Sequence, residues 1–146
     1  FCLTLIEDLV KREATVRLLR KRVAGFVSDG SIERNEKEIW NSWTTNDKAR
    51  FTSEYIDRGN SRIKEAIEQC DLVHLHNPMV EGVWWAMKRE TPCVMTIYNW
   101  RRKGLLPRLL AWRWAVARAD RRWYISEFVW DSWEKRRKEG EGTRGG

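Results

Sequence analysis

Residues 71–78 have the sequence Asp71-Leu-Val-His-Leu-His76-Asn-Pro78, which predicts a short buried strand over 72–75 that runs directly into a polar loop. Two later segments, 92–102 and 122–128, have the same form, an apolar run that ends in polar residues. Helix-like segments separate the three, and this alternation is typical of a parallel α/β sheet. Ligands bind at the carboxyl ends of the strands in such sheets, so we expect functional residues in the loops that follow them.

The length and composition indicate one folded domain. The chain has 146 residues, which is enough to bury a substantial core. We expect a domain over residues 1–138 and a flexible tail over 139–146, where glycine and charge predominate. The chain begins with Phe1 rather than Met, and we expect it to be a fragment. No apolar run approaches the ~20 residues of a membrane span, and nothing resembles a cleavable signal.

Disulfide, metal and hydrolase chemistry are all disfavoured. Cys2, Cys70 and Cys93 are odd in number, scattered and without a C-x-x-C pair. We expect Cys70 and Cys93 to fill apolar positions beside strands in a reducing compartment. His74 and His76 offer only two metal ligands, with no suitable third nearby, so no metal is expected. The sequence has no G-x-S-x-G motif, and no paired carboxylates follow the predicted strands.

The positive charge is concentrated in one stretch. Residues 99–123 contain eight basic residues and one acid, which accounts for the whole net charge of +7. An anionic partner is therefore expected there, whether phosphate, lipid or nucleic acid. The residues predicted to bind it are Arg101, Arg102, Lys103, Arg108 and Arg113.

Hydrophobic periodicity predicts the remaining elements. In the first third of the chain it predicts a helix over 1–12 and a strand over 14–19 with an extension over 20–25. A loop over 28–35 and a short helix over 36–43 follow. A cap is predicted at 44–47, and helix continues from there to Gln69 with a break at Gly59-Asn60. In the second half it predicts helices over 80–89, 106–118 and 127–138, and strands over 93–97 and 123–125.

Three motifs in order resemble the N-terminal domain of GT-B glycosyltransferases of family 4. They are DLVHLHNP at 71–78, TPCVMTIYNWR at 91–101 and ARADRRWYISEFV at 117–129. The segment EDLVKREATVRLLRK at 7–21 also looks like the first helix and second strand of that family. The subgroup with an H-N-x-R loop after its second motif matches best, and the resemblance spans roughly residues 3–133.

The resemblance implies a Rossmann-like parallel sheet with helices on both faces, here partial. The family's first strand, its glycine-rich loop and its C-terminal nucleotide-sugar domain have no counterpart in the sequence. The implied activity is that of a retaining, hexosyltransferase-like enzyme that moves a sugar from a nucleotide-sugar to a hydroxyl of a glycan or lipid-linked acceptor. The chain would be the acceptor-binding half and would be inactive alone. No cofactor is implied, because the nucleotide-sugar is a co-substrate held by the absent domain.

The resemblance also implies a cellular setting. Family members of this kind take part in cell-envelope polysaccharide biosynthesis, so the expected location is cytoplasmic, with peripheral contact at the inner face of the membrane.

The resemblance assigns roles to residues at the three strand ends. It places His76 and Asn77 at the cleft edge. Tyr98 stands where the family has a catalytic-site histidine; a tyrosine still exchanges hydrogen bonds but is not the same proton carrier near neutral pH. Asn99 and Arg101 would follow the second strand into the cleft.

The same resemblance implies that Ser126 and Glu127 cap the third strand. Structural roles remain open for every one of these residues, such as a helix N-cap at Ser126-Glu127.

A non-catalytic module is the alternative function. Tryptophans 100, 112, 114 and 123 interleave with the basic residues, and charge with stacking would bind anionic lipid surfaces or single-stranded nucleic acid. Nucleic acid is the less favoured of the two, because no nucleic-acid-binding motif is present.

Overall fold

The computed structural model describes residues 2–21, 30–57 and 61–135, without the side chain of residue 32. Several predicted features lie outside these residues: the strand extension over 22–25, the break at Gly59-Asn60, residues 136–138 of the last helix, and the tail over 139–146. The chain divides into two compact units, Phe1–Asn60 and Ser61–Gly146. Both contain helices and parallel strands, so the predicted α/β class is confirmed.

The first unit is built on two parallel strands. Its elements are α1 (Cys2–Lys11), β1 (Val16–Lys21), α2 (Ser31–Ser42), α3 (Thr45–Ala49) and β2 (Phe51–Ile56). Strands β1 and β2 pair in parallel, with Val16 opposite Phe51. Ile6 and Val10 lie four residues apart on α1 and form a buried cluster with Trp43, which follows α2.

The prediction of helix between the cap at 44–47 and the break at Gly59-Asn60 was wrong over β2. Phe51 and Tyr55 have helical spacing, but the segment pairs with β1 and forms a parallel ladder instead. The aromatic and β-branched residues of this segment suit a strand, and the neighbouring strand decides the outcome. The predicted cap at Thr44 is confirmed, because the Thr44 hydroxyl accepts from the Asp47 N–H and the Asp47 carboxylate accepts from the Thr44 N–H.

The predicted loop over 28–35 was also wrong from Ser31 onward. Helix α2 begins at Ser31, directly after Gly30, whose φ of 82° is left-handed. The Gly30 carbonyl accepts the first helical hydrogen bond, from the Arg34 N–H at 3.0 Å. Glycine adopts this φ without steric cost, so Gly30 can directly precede the first residue of the helix.

The second unit contains the three predicted strands in one parallel sheet. Its elements are α4 (Ser61–Glu68), β3 (Val73–His76), α5 (Val80–Arg89), β4 (Cys93–Ile97), α6 (Pro107–Arg118), β5 (Arg121–Tyr124), α7 (Glu127–Trp130) and a π-helical turn (Asp131–Lys135). The strand order is β3-β4-β5, with β4 in the centre. All five residues of β4 are buried, which explains why four of them are apolar.

Helix α5 packs closely on β3. Gly82 on this helix is buried, and a Cβ at that position would lie 2.7 Å from a methyl group of Leu75. The carboxylate of Asp120 accepts from the Cys93 N–H at 2.7 Å, which joins the start of β5 to the start of β4. Cys93 is buried and Cys70 is partly buried, and both are free thiols. Among the described helices, none has the length and apolar character needed to cross a bilayer.

Candidate functional site

The ends of β3 and β4 meet at one edge of the sheet. β3 ends at His76 and β4 ends at Ile97, so Asn77 and Tyr98 are the first residues beyond the two paired strands. The Asn77 N–H donates to the Thr96 carbonyl at 2.8 Å, and the Asn77 side-chain oxygen accepts from the Tyr98 N–H at 2.9 Å. Asn77 has a φ of 70°, a left-handed conformation that asparagine tolerates better than most residues. Asn77 therefore continues the ladder beyond the strand and fixes the path of both loops.

His76 and Tyr98 form a hydrogen-bonded pair at this edge. The distance from His76 Nδ1 to the Tyr98 hydroxyl is 2.8 Å, and the two rings are stacked with their centres 5.8 Å apart. Both side chains are partly buried. A hydroxyl and an imidazole in contact can each exchange a proton or a hydrogen bond with a bound hydroxyl group.

His74 lies one step behind His76 on the same face of β3. Its Nε2 is 2.8 Å from the Thr96 hydroxyl, and its ring meets the edge of Trp123. The rings of His74 and His76 are stacked, with centres 4.4 Å apart. His74 is thus held within the sheet and supports the His76 ring from behind.

Burial keeps both imidazoles neutral near pH 7. It lowers the pKa of His74 from 6.5 to about 4, and the adjacent His76 adds to that effect. It also lowers the pKa of His76. A neutral His76 has one donor and one acceptor nitrogen, so it is able to accept a hydrogen bond from a ligand or from Tyr98.

We expect the two imidazoles to titrate below pH 6.5, with His74 near pH 4. Imidazole NMR signals recorded against pH measure this directly, since the chain has only two histidines. The unfolded chain takes up protons below pH 6.5 that the folded chain excludes, so the free energy of unfolding should fall as the pH drops from 6.5 towards 4. The loss should be on the order of 2 kcal/mol after discounting for partial exposure.

The His74→Gln variant provides the control for this titration. It lacks the most depressed imidazole, so its stability should depend less steeply on pH between 6.5 and 4 than that of the wild type. An imidazole signal of His74 that titrates at pH 6.5 would contradict the assignment.

The loop after β4 is anchored by the π-helical turn. The indole N–H of Trp133 donates to the Asn99 carbonyl at 2.8 Å, and the Arg101 N–H donates to the Ser132 hydroxyl at 2.9 Å. Trp133 is buried. Sequence reasoning missed this role for Ser132 and Trp133, because both lie more than thirty residues from the loop that they hold.

A pocket of about 170 Å³ opens beside this loop. It lies among the residues after β3, the loop after β4, helix α6 and the π-helical turn. The lining residues are Asn77, Pro78, Asn99, Trp100, Arg101, Arg102, Leu109, Trp112, Arg113 and Trp133. Five of the predicted site residues therefore come together here from three separate elements.

Other predicted site residues lie elsewhere. His76 and Tyr98 immediately precede pocket residues but are not among its lining residues. Lys103 and Arg108 are exposed and do not line it either. The Ser126 hydroxyl accepts from the Val129 N–H at 3.2 Å, so it acts as the N-cap of α7. Its neighbour Glu127 is exposed in the first turn of that helix.

The described residues contain no group of three or more metal-ligating side chains. The chain matches no protein-family model, no curated protein and no solved structure.

Proposed function

We propose that this chain is the acceptor-binding half of a retaining glycosyltransferase of the GT-B type. In this proposal a sugar passes from a nucleotide-sugar to a hydroxyl of a glycan or lipid-linked acceptor. The second unit would be part of a Rossmann-like sheet with helices on both faces. A further domain would bind the donor, and the enzyme would work in the cytoplasm at the inner face of the membrane.

One observation carries this proposal: a pocket that contains amide and guanidinium groups lies at the carboxyl ends of adjacent parallel strands. Asn77 follows β3, and Asn99 and Arg101 follow β4. Binding sites of open α/β sheets form at this edge, because the loops there converge from neighbouring strands. Amide and guanidinium groups are suited to bind sugar hydroxyls and anionic substituents. The motifs that resemble family 4 supply these same residues.

The His76–Tyr98 pair would orient the acceptor hydroxyl in this proposal. Tyr98 takes the position of the family's histidine, and its hydroxyl already lies 2.8 Å from His76 Nδ1. Because burial lowers the pKa of His76, its imidazole is a weak base, so the pair would position a hydroxyl by hydrogen bonds and would not remove its proton outright. Charge on the departing diphosphate would be stabilised by cationic groups such as Arg101 and by the donor domain. The proposed chemistry involves no metal or cofactor, only the nucleotide-sugar as co-substrate.

Ligand titration of the labelled chain tests the acceptor half directly. We expect a matching glycan or glycoside to shift the imidazole signals of His76, and we expect Asn99→Ala to weaken that binding several-fold. Asn41→Ala is the matched control, since Asn41 is an exposed residue of α2 in the first unit. The transferase proposal is contradicted by two results together. The first is that no glycan shifts the imidazole NMR signals of either histidine, and the second is that a protein that includes a donor-binding domain turns over no nucleotide-sugar.

A surface observation favours the second candidate, a module that binds anionic lipid. Leu105 is 81% exposed, and Trp100, Leu106 and Leu110 are also exposed. They alternate in sequence with exposed basic residues such as Lys103, which is the composition of a segment that lies at a membrane surface. Salt-sensitive binding to anionic vesicles without any response to glycans would favour this candidate. Binding to oligonucleotides instead would indicate nucleic acid.

A further inference from the structure

The charged residues that line the pocket at the strand ends are all arginines. Arg101 and Arg102 come from the loop after β4, and Arg113 comes from α6. None of the described residues that line the pocket is acidic. Elsewhere in this unit a cation such as Arg122 has a carboxylate partner within 4 Å. Within the described part of the chain, Arg102 and Arg113 have no such partner, so no described carboxylate neutralises their charges.

Arg113 is held in place at the pocket wall. Its Nη2 donates to the Arg102 carbonyl at 2.8 Å, which fixes the guanidinium against the loop. Its Nε is buried, and no acceptor among the described residues pairs with it. A buried donor and a partly buried cation both cost free energy when they lack a partner. An anion in the pocket would offset this cost.

The size and walls of the pocket restrict the ligand further. Pockets for whole drug-sized ligands usually measure about 300–1,000 Å³, so about 170 Å³ holds one substituent of a larger molecule. Trp100, Trp112 and Trp133 also line the space. Indole faces provide a surface for a sugar ring or another ring attached to that substituent.

We infer that this pocket binds a phosphoryl group of the acceptor, with the attached ring against the tryptophans. Guanidinium groups form paired hydrogen bonds with phosphate and carboxylate alike. A phosphate monoester is nearly dianionic at pH 7 and offers three acceptor oxygens, so it matches several arginines better than a single carboxylate does. The inference rests on the proposed function, since it names the class of acceptor as phosphorylated.

Calorimetric titration of the full 146-residue chain with phenyl phosphate and with benzoate tests the inference. Phenyl phosphate should bind roughly tenfold more tightly than benzoate. Arg102→Gln and Arg113→Gln should each weaken phenyl phosphate binding roughly tenfold. The Arg102→Gln variant should fold as the wild type does, because the exposed Arg102 side chain makes no described bond. The substitution also keeps the Arg102 backbone carbonyl that accepts from Arg113.

Arg118→Gln is the matched control. It removes the same charge from the same helix, but Arg118 does not line the pocket. The affinity of the Arg118→Gln variant for phenyl phosphate should stay within about twofold of that of the wild type, because salt screens exposed charges that lie far from the ligand. The inference is overturned if all three variants lose affinity equally, if benzoate binds as well as phenyl phosphate, or if neither binds.

Vesicles of phosphatidylcholine with and without phosphatidic acid identify the source of the phosphoryl group. Arg102-dependent binding to the phosphatidic acid vesicles supports the inference with a lipid headgroup as ligand. If phenyl phosphate binds in an Arg102-dependent way and the phosphatidic acid vesicles do not, the inference is supported with a soluble acceptor as ligand. Sugar transfer to an uncharged acceptor, without phosphate binding, would overturn this inference and leave the transferase proposal standing. Phosphate binding in the pocket, with no sugar transfer even by a protein that includes a donor-binding domain, would keep the anion site and overturn the transferase proposal.

Discussion

Replacing Ile97 by alanine is expected to lower the free energy of unfolding of the second unit by about 2–5 kcal/mol. Ile97 is the last residue of β4 and is completely buried. Strands on both sides of β4 prevent the sheet from closing around the smaller side chain, so a cavity remains. Tyr98 follows directly, and we expect its contact with His76 to loosen as well.

Urea unfolding followed by the imidazole NMR signals measures this effect, because both histidines belong to the second unit. Ile125→Ala is the matched control. Ile125 follows the neighbouring strand and is 55% exposed, so its truncation should cost less than about 1 kcal/mol. Equal losses for the two variants would show that β4 is not the packed centre of this unit.

The central strand of the second unit was predictable because it is buried on both faces. A central parallel strand is apolar at nearly every position, and Cys93–Ile97 is apolar at all positions except Thr96. Polar residues begin where the sheet ends, so Asn77 and Asn99 could be placed at one edge before any coordinates. The sequence-predicted strand over 72–75 is one residue early, since Leu72 is exposed and His76 pairs with Thr96.

The first unit was less predictable because its strands are only partly buried. Every residue of β1 is partly exposed, and β2 has exposed residues at three of its six positions. Such strands carry no long apolar run, and Phe51 and Tyr55 fit a helix as well as a strand. Only the pairing with β1 decides between the two, and a parallel partner some thirty residues away leaves no local signal.

The anchoring of the pocket could not be read from the sequence for the same reason. Ser132 and Trp133 hold the loop after β4, and the spacing of residues in the last helical segment gives no indication of this contact. That segment was predicted as one continuous helix over 127–138. It begins as α7 and continues as a π-helical turn over Asp131–Lys135, which widens the helix where Ser132, Trp133 and Glu134 make their contacts.

Glu134→Ala should also strongly destabilise the second unit. One carboxylate oxygen of Glu134 accepts from Arg122 Nε at 2.8 Å and from the Tyr124 hydroxyl at 2.5 Å. Burial and this carboxylate raise the pKa of Tyr124, so the phenol stays protonated and remains a donor. Removal of Glu134 leaves a partly buried cation without its counter-ion, and we expect a loss on the order of 2–4 kcal/mol in the free energy of unfolding.

Glu65→Ala is the control for this ion pair. Glu65 pairs with Arg62 at 3.4 Å on the exposed surface of α4, where such a pair contributes about 0–1 kcal/mol. Urea unfolding of the two variants should therefore differ by more than about 1 kcal/mol. Equal losses would mean that the Glu134 contacts with β5 add no more than a surface pair.

The pocket offers a second readout of the same variant. Glu134 lies in the turn that carries Ser132 and Trp133, and these two residues hold the loop at Arg101 and Asn99. Glu134→Ala should therefore weaken phenyl phosphate binding as well as stability. Arg102→Gln should weaken binding alone, because its exposed side chain has no described contact with the core. This difference separates residues that bind the anion from residues that position the loop. If the Glu134→Ala variant binds phenyl phosphate as tightly as the wild type, the π-helical turn does not position the pocket.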